Sequence, residues 1–265
     1  MQKLQLQGIL YDDKSSFLKG PAQAPPLVRE AYKSDAFNFF AENGLEIRPE
    51  IIKDLGDLEV ADYFDIAHFT DTHLNSRLPL ITLGGDHSIT YPLLQAFHRR
   101  YGPLEILHID AHADLYDTFE GDRYSHACPF ARIMESGLAS RLVQVGIRTL
   151  SSHQREQASR FGVEILEMKD YRPEMLPKFQ GPLYLSLDID ALDPVFAPGI
   201  SHYEPGGFSS RDAIEIIQNI QAPLVGADIV EYNPTRDVNG MTAVVCAKFL
   251  KEIAGKMLEN SPGDF

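Results

Sequence analysis

The chain has 265 residues, 44% of them hydrophobic and 23% charged, enough for one large α/β domain with a well-buried core. Its net charge of −14 disfavours nucleic acid or an anionic membrane as a partner and suits a cationic substrate or metal ions. Two cysteines, Cys128 and Cys246, make no disulfide framework, no signal-peptide pattern opens the chain, and no apolar stretch is long enough to span a bilayer. The expectation is a reducing, cytoplasmic setting with both thiols in or near the core.

A first strand is expected over residues 4–10. The Pro-rich piece at 20–26 reads as a loop leading into a helix at 27–33. After a strand at 79–83, Pro92 sits in the first turn of a helix that carries Leu94 and Phe97. Strands follow at 104–109, 142–147, 163–166 and 183–189, with helix-like segments between them. Ser209-Ser210-Arg211-Asp212 is a helix start signal, and Ala213, Ile214, Ile216, Ile217 and Ile220 form the apolar face behind it. A strand at 224–230 precedes a last helix with Val244, Val245, Phe249, Ile253 and Met257 on one face, and 259–265 reads as a frayed tail. No repeat and no boundary interrupts the pattern, so residues 1–265 are expected to form one domain. Alternation of this kind predicts an α/β fold, a three-layer α/β/α sandwich around a mostly parallel sheet.

Three clusters of acids and histidines stand at the carboxyl ends of these strands, the edge where open parallel sheets bind ligands. They are Gly84-Gly85-Asp86-His87-Ser88, His108-Ile109-Asp110-Ala111-His112-Ala113-Asp114, and Ser186-Leu187-Asp188-Ile189-Asp190-Ala191-Leu192-Asp193-Pro194. A period of two places Asp110, His112 and Asp114 on one face of an extended segment, and Asp188 with Asp190 on another. Charges crowded beside buried apolar runs are costly unless something compensates them. A pair of divalent cations would do so. Oxygen ligands with one or two imidazoles favour ions such as manganese, and the absence of cysteine argues against structural zinc. Two close metals lower the pKa of water between them and supply a nucleophile at neutral pH.

These three signatures together resemble those of the ureohydrolase family, which includes arginase, agmatinase and relatives. The resemblance runs from Ser15-Ser16-Phe17-Leu18-Lys19-Gly20-Pro21-Ala22 to Asn239-Gly240-Met241-Thr242-Ala243. The stretches Phe119-Glu120-Gly121-Asp122-Arg123-Tyr124-Ser125-His126-Ala127 and 198–207 look closest to plant-type arginases. The resemblance implies an arginase-like fold, a trimer or hexamer, and two Mn2+ per chain. His87, Asp110, Asp114 and Asp188 would hold one ion. Asp110, His112, Asp188 and Asp190 would hold the other, with Asp110 and Asp188 bridging. It implies hydrolysis of a small cationic guanidino substrate to urea and an amine. Glu231 would grip the guanidinium, His126 would relay protons to the leaving amine, and Asp114 would accept the proton of the attacking water. His108 is expected to pack or support the centre, and Asp86 to shape the Gly-Gly turn or support His87.

The loop 115–130 would choose the substrate. Plant-type arginases carry Asn where this chain has Asp122. An ionised carboxylate there would repel the arginine carboxylate and attract the distal ammonium of agmatine. That puts agmatine, yielding putrescine and urea, ahead of arginine, with Arg123 next door as a competing neutraliser. L-Arginine to ornithine and urea is the alternative, and 4-guanidinobutyrate or another guanidino compound comes third. Two readings from other classes are a non-catalytic relative, which would lack a ligand, His126 or Glu231, and a deacetylase-like amidohydrolase with a single zinc, which would need fewer carboxylates.

Overall fold

Strands form where apolar runs are short, and helices where the apolar period lengthens. The computed structural model describes residues 2–260. Within them the strands are β1 (Leu4–Leu10), β2 (Ile52–Glu59), β3 (Leu80–Leu83), β4 (Leu104–Ile109), β5 (Ala139–Ile147), β6 (Glu164–Glu167), β7 (Leu183–Asp188) and β8 (Leu224–Val230). The α-helices are α1 (Ala24–Tyr32), α2 (Asp65–Leu74), α3 (Thr90–Tyr101), α4 (Pro129–Glu135), α5 (Ser152–Phe161), α6 (Ser210–Gln218) and α7 (Met241–Glu259).

The strands form one sheet in the order β2-β1-β3-β8-β7-β4-β5-β6. Every pairing in it is parallel. Strands β3 and β7 are buried along their whole length, as a sheet covered on both faces requires. On one face Ile81, Leu107, Val143, Leu185 and Ile229 pack with α1, α6 and α7. On the other Leu80, Ile106, Leu142 and Tyr184 pack with α2, α3, α4 and α5. The result is a three-layer α/β/α arginase-like architecture.

Several boundaries move. Helix α1 takes Pro25 and Pro26 into its first turn, where a missing N–H costs nothing, so it begins earlier than expected. Ser209 and Asp212 form a reciprocal capping box at the start of α6, as their spacing suggests. Helix α7 continues through Glu259, and residues 261–265 of the expected tail lie outside the described residues. Strand β2 was not anticipated.

One row of the sheet is polar. Gln7, Thr82, Asp228, Ser186, His108 and Gln144 are register partners on successive strands from β1 to β5. All six are buried. By strand alternation the row faces α2–α5, and Asp110 and Asp188 follow two residues further on the same face.

Candidate metal centre and substrate cleft

Four neighbouring central strands, β3, β8, β7 and β4, end side by side. The segments leaving them carry His87, Glu231, Asp188 with Asp190, and Asp110 with His112 and Asp114. The Gly-Gly turn after β3 is a matter of space: a Cβ on Gly85 would lie 1.7 Å from the carbonyl oxygen of Tyr11. The bare backbone lets the Glu231 N–H donate to the Gly85 carbonyl at 2.9 Å, while the His87 N–H donates to Glu231 Oε1 at 2.9 Å. Asp86 anchors the same turn, accepting from the N–H groups of Ser88 at 3.1 Å and Lys14 at 3.0 Å. Its role is the supporting one expected for it.

His87 Nδ1 stands 3.1 Å from an oxygen of each of Asp110, Asp114 and Asp188. It is buried and hydrogen bonds none of them. A ring nitrogen equidistant from three carboxylates, yet bonded to none, has the placement of a ligand around a shared cation. On the other side His112 Nδ1 lies 3.0 Å from Asp190 Oδ2 and 3.6 Å from Asp110 Oδ1. Asp110 thus turns one oxygen to each histidine. Asp110, His112 and Asp190 place ligand atoms within 4.8 Å of one another, as do His87, His108 and Asp110. In the second group His108 serves from beneath, its Nε2 lying 2.7 Å from Asp110 Oδ2. His108 is therefore hydrogen-bonded as well as packed.

The electrostatics agree. Burial opposes charge on His87 and His112, yet the facing carboxylates hold both imidazoles well above their usual range. Burial, with Asp190 and Asp110 nearby, pushes Asp188 well above the ordinary carboxylate range, and burial raises Asp190 too. Asp110 goes the other way: against burial, His108, His112 and His87 hold it well below that range. Raised histidines beside raised Asp188 and Asp190 mark a site short of positive charge, and the donor set fits divalent cations. Asp114 and Glu231 have backbone φ of 50° and 63°. That left-handed region costs a non-glycine residue about 1–3 kcal/mol, and such strain gathers at functional sites.

Glu231 Oε1 also receives His126 Nδ1 at 2.8 Å. His126 Nε2 lies 3.1 Å from the Ser16 nitrogen and 2.7 Å from Ser16 Oγ, a hydroxyl that can accept its proton. Although burial opposes protonation of His126, the Glu231 carboxylate raises its pKa to about 9. These groups open into a cleft of about 250 Å³ whose wall includes Tyr116, Phe119, Thr149, Gln154, His202 and Glu204. Tyr116 and Phe119 lie in the loop 115–130 expected to choose the substrate, and His202 and Glu204 in the stretch 198–207, but none of the six was assigned a role, because their spacing carries no period. Arg148 hydrogen bonds the carbonyls of Asp190, Ala191, Leu192 and Glu204 and shapes the outer wall.

Asp122 behaves differently from the expectation that it meets the substrate. It is absent from the cleft wall. Its carboxylate accepts from Lys14 Nζ at 2.7 Å and from the Tyr124 N–H at 2.8 Å. Arg123 does not neutralise it, pairing instead with Glu135.

The family model for the arginase family matches residues 2–255. This chain belongs to the arginase family. It is a ureohydrolase of that family, as the three signatures implied. It is 48% identical to "Arginase 1, mitochondrial" of Arabidopsis thaliana over 95% of this chain and 80% of that protein. It is 42% identical to "Agmatinase, mitochondrial" of Gallus gallus, over 65% of this chain and 55% of that one. Among solved structures, the arginase from Medicago truncatula superposes with a TM-score of 0.90 and 43% identity, covering 97% of this chain and 87% of that one.

These arginase-family relatives overturn the cytoplasmic expectation, since both curated names point to mitochondria. Two buried, unpaired thiols suit an organelle interior as well as a cytoplasm, so cysteine usage could not separate them. Among the described residues no helix is long and apolar enough to cross a membrane.

Proposed function

We propose that this protein is a dimanganese arginase, hydrolysing L-arginine to ornithine and urea. The observation that carries arginine over agmatine is the higher sequence identity to arginases. The curated arginase aligns at 48% identity over 95% of the chain and the curated agmatinase at 42% over 65%, and over the same 97% of the chain a solved arginase is 43% identical where a hypothetical agmatinase is 30% identical. The cleft supports the choice. With Asp122 engaged by Lys14, the argument for an ammonium partner there lapses. The outer wall instead offers the neutral groups Ser16, Thr149 and Gln154 beside one carboxylate, Glu204. A zwitterionic amino-acid end needs partners of both kinds.

His87, Asp110, Asp114 and Asp188 would hold one manganese, and Asp110, His112, Asp188 and Asp190 the other. When bound, the pair supplies Lewis acidity and makes water nucleophilic at neutral pH. Glu231 grips the guanidinium. Its Oε1 is already taken by His87 N–H and His126 Nδ1, which leaves Oε2 to pair with the cation. That grip aims the guanidinium carbon at the attacking water. Asp114, strained at the rim, accepts the water proton. Water adds to carbon, the bond from carbon to the substrate's secondary nitrogen breaks, and that nitrogen leaves as the amine of ornithine. His126, wedged between Glu231 and Ser16, stands as proton donor to it.

The test is urea release by manganese-loaded protein with arginine and agmatine at matched concentrations. Arginine is expected to be turned over with the higher kcat/KM. Preference for agmatine would overturn the substrate assignment and leave the chemistry standing.

A further inference from the structure

The buried polar row beneath the centre has a direction. Asp228, on β8, receives three hydroxyls. Thr90 Oγ1 donates at 2.9 Å and Tyr184 OH at 2.8 Å to Oδ2, and Ser186 Oγ donates at 2.7 Å to Oδ1. A serine hydroxyl has one proton, and here it goes to Asp228. What Ser186 turns to His87 Nε2, 2.9 Å away, is therefore a lone pair. His87 must carry its ring proton on Nε2. Nε2 is thereby held as a donor, and Nδ1, ringed by Asp110, Asp114 and Asp188, is the nitrogen left for a cation to take in place of a proton.

A second chain in the same row runs the same way. Gln144 Nε2 donates to the Ala113 carbonyl at 2.6 Å, which identifies it as the amide nitrogen, and it also lies 2.9 Å from His108 Nδ1. His108 Nδ1 is thereby an acceptor, and Nε2–H is left to donate to Asp110. Both imidazoles are oriented from below by groups that can only give or only take.

We infer that Asp228 is a positioning residue which, through Ser186, fixes the tautomer of His87 and so presents the nitrogen that holds one of the two cations. The inference rests on the dimetal reading of the centre. Asp228 touches neither cation nor substrate.

Asp228→Asn is the informative change. The amide keeps the shape. Its oxygen belongs where two hydroxyls donate, and its NH2 then faces Ser186. Ser186 would turn its proton to His87 Nε2, and His87 would shift to the Nδ1–H form, which has no lone pair for a metal. Side-chain 15N NMR of the protein loaded with diamagnetic zinc is expected to show His87 metal-bound through Nδ1 and protonated on Nε2 in the wild type, and that signature lost in the variant. Manganese titration is expected to show one of two sites weakened about 10–100-fold, with the other near wild type. Ser186→Ala, with the acceptor removed, is expected to weaken the same site. Should Asp228→Asn fail to fold by circular dichroism, Ser186→Ala decides, and unchanged affinity at both of its sites overturns the inference. An Asp228→Asn protein with wild-type tautomer and affinities does the same. Wild-type protein that binds no divalent cation would instead overturn the metal reading, and the inference with it.

Discussion

Asp122 and Lys14 form a half-exposed ion pair that joins the loop after β4 to the loop after β1. Asp122→Asn is therefore expected to leave the ratio of arginine to agmatine kcat/KM unchanged, and to cost about 0–1 kcal/mol of stability in a urea melt. A tenfold swing in that ratio would put the carboxylate back beside the substrate. The direction of Asp122 was not legible because its partner lies 108 positions away in sequence. A new charge in a specificity loop says only that something compensates it. The six metal-ligand candidates were legible for the opposite reason. Asp110, His112 and Asp114 are locally spaced, and a period of two at a strand end has few uses. Ser186 and Asp228 carried no such signal, since a buried serine and an acid inside an apolar run become meaningful only when β7 and β8 bring them into register.

Among the elements, the segment between α1 and β2 shows how a long connection is tied down. Glu42 pairs with Arg211 on α6 and Lys248 on α7. The Arg211 guanidinium, against a smaller opposing effect of burial and with help from Lys248, lowers the Glu42 pKa to about 2 from an ordinary 4.5. A lowered carboxylate pKa stabilises the fold above the unfolded value, and that share is lost as pH falls through the folded one. Glu42→Gln is thus expected to lower Tm modestly at pH 7. The gap from wild type should close between about pH 4.5 and pH 2. A gap that is constant across that range would show the carboxylate charge to be irrelevant. Strand β2 escaped notice for a related reason. It is an edge strand whose Lys53, Asp54, Gly56, Asp57 and Glu59 face solvent, so no alternation survives to announce it. Charged edge strands of this kind resist pairing with other chains. Seven of the eight strands lie where the apolar runs do, because a parallel sheet buried on both faces leaves a near-continuous hydrophobic trace.

For the molecule as a whole, the centre gathers Asp110, Asp114, Asp188, Asp190 and Glu231 in a chain already at −14. Cations that bind the folded form alone should raise its stability by mass action, about 2.7 kcal/mol per site at a hundred times Kd. Tm is expected to rise on adding manganese and to fall on chelation with EDTA. Equal Tm in both would remove the dimetal centre from the account. The layer architecture was legible from alternation alone, but the strand order was not. Periodicity reports which residues are buried, and says nothing of which strand lies beside which.

That order has a consequence for how the protein is made. The final strand, β8, lies between β3 and β7, and joins β2-β1-β3 to β7-β4-β5-β6. His87 follows the first block, while Asp110 and Asp188 follow the second. Until β8 has left the ribosome and slotted into place, His87 belongs to a different half-sheet from the other five candidate ligands. A chain without β8 can bring together Asp110, His112, Asp188 and Asp190, but not His87 with them, so the site that includes His87 is the last to be completed. In the proposed dimetal centre, filling of the His87 site would report that β8 has joined the two half-sheets.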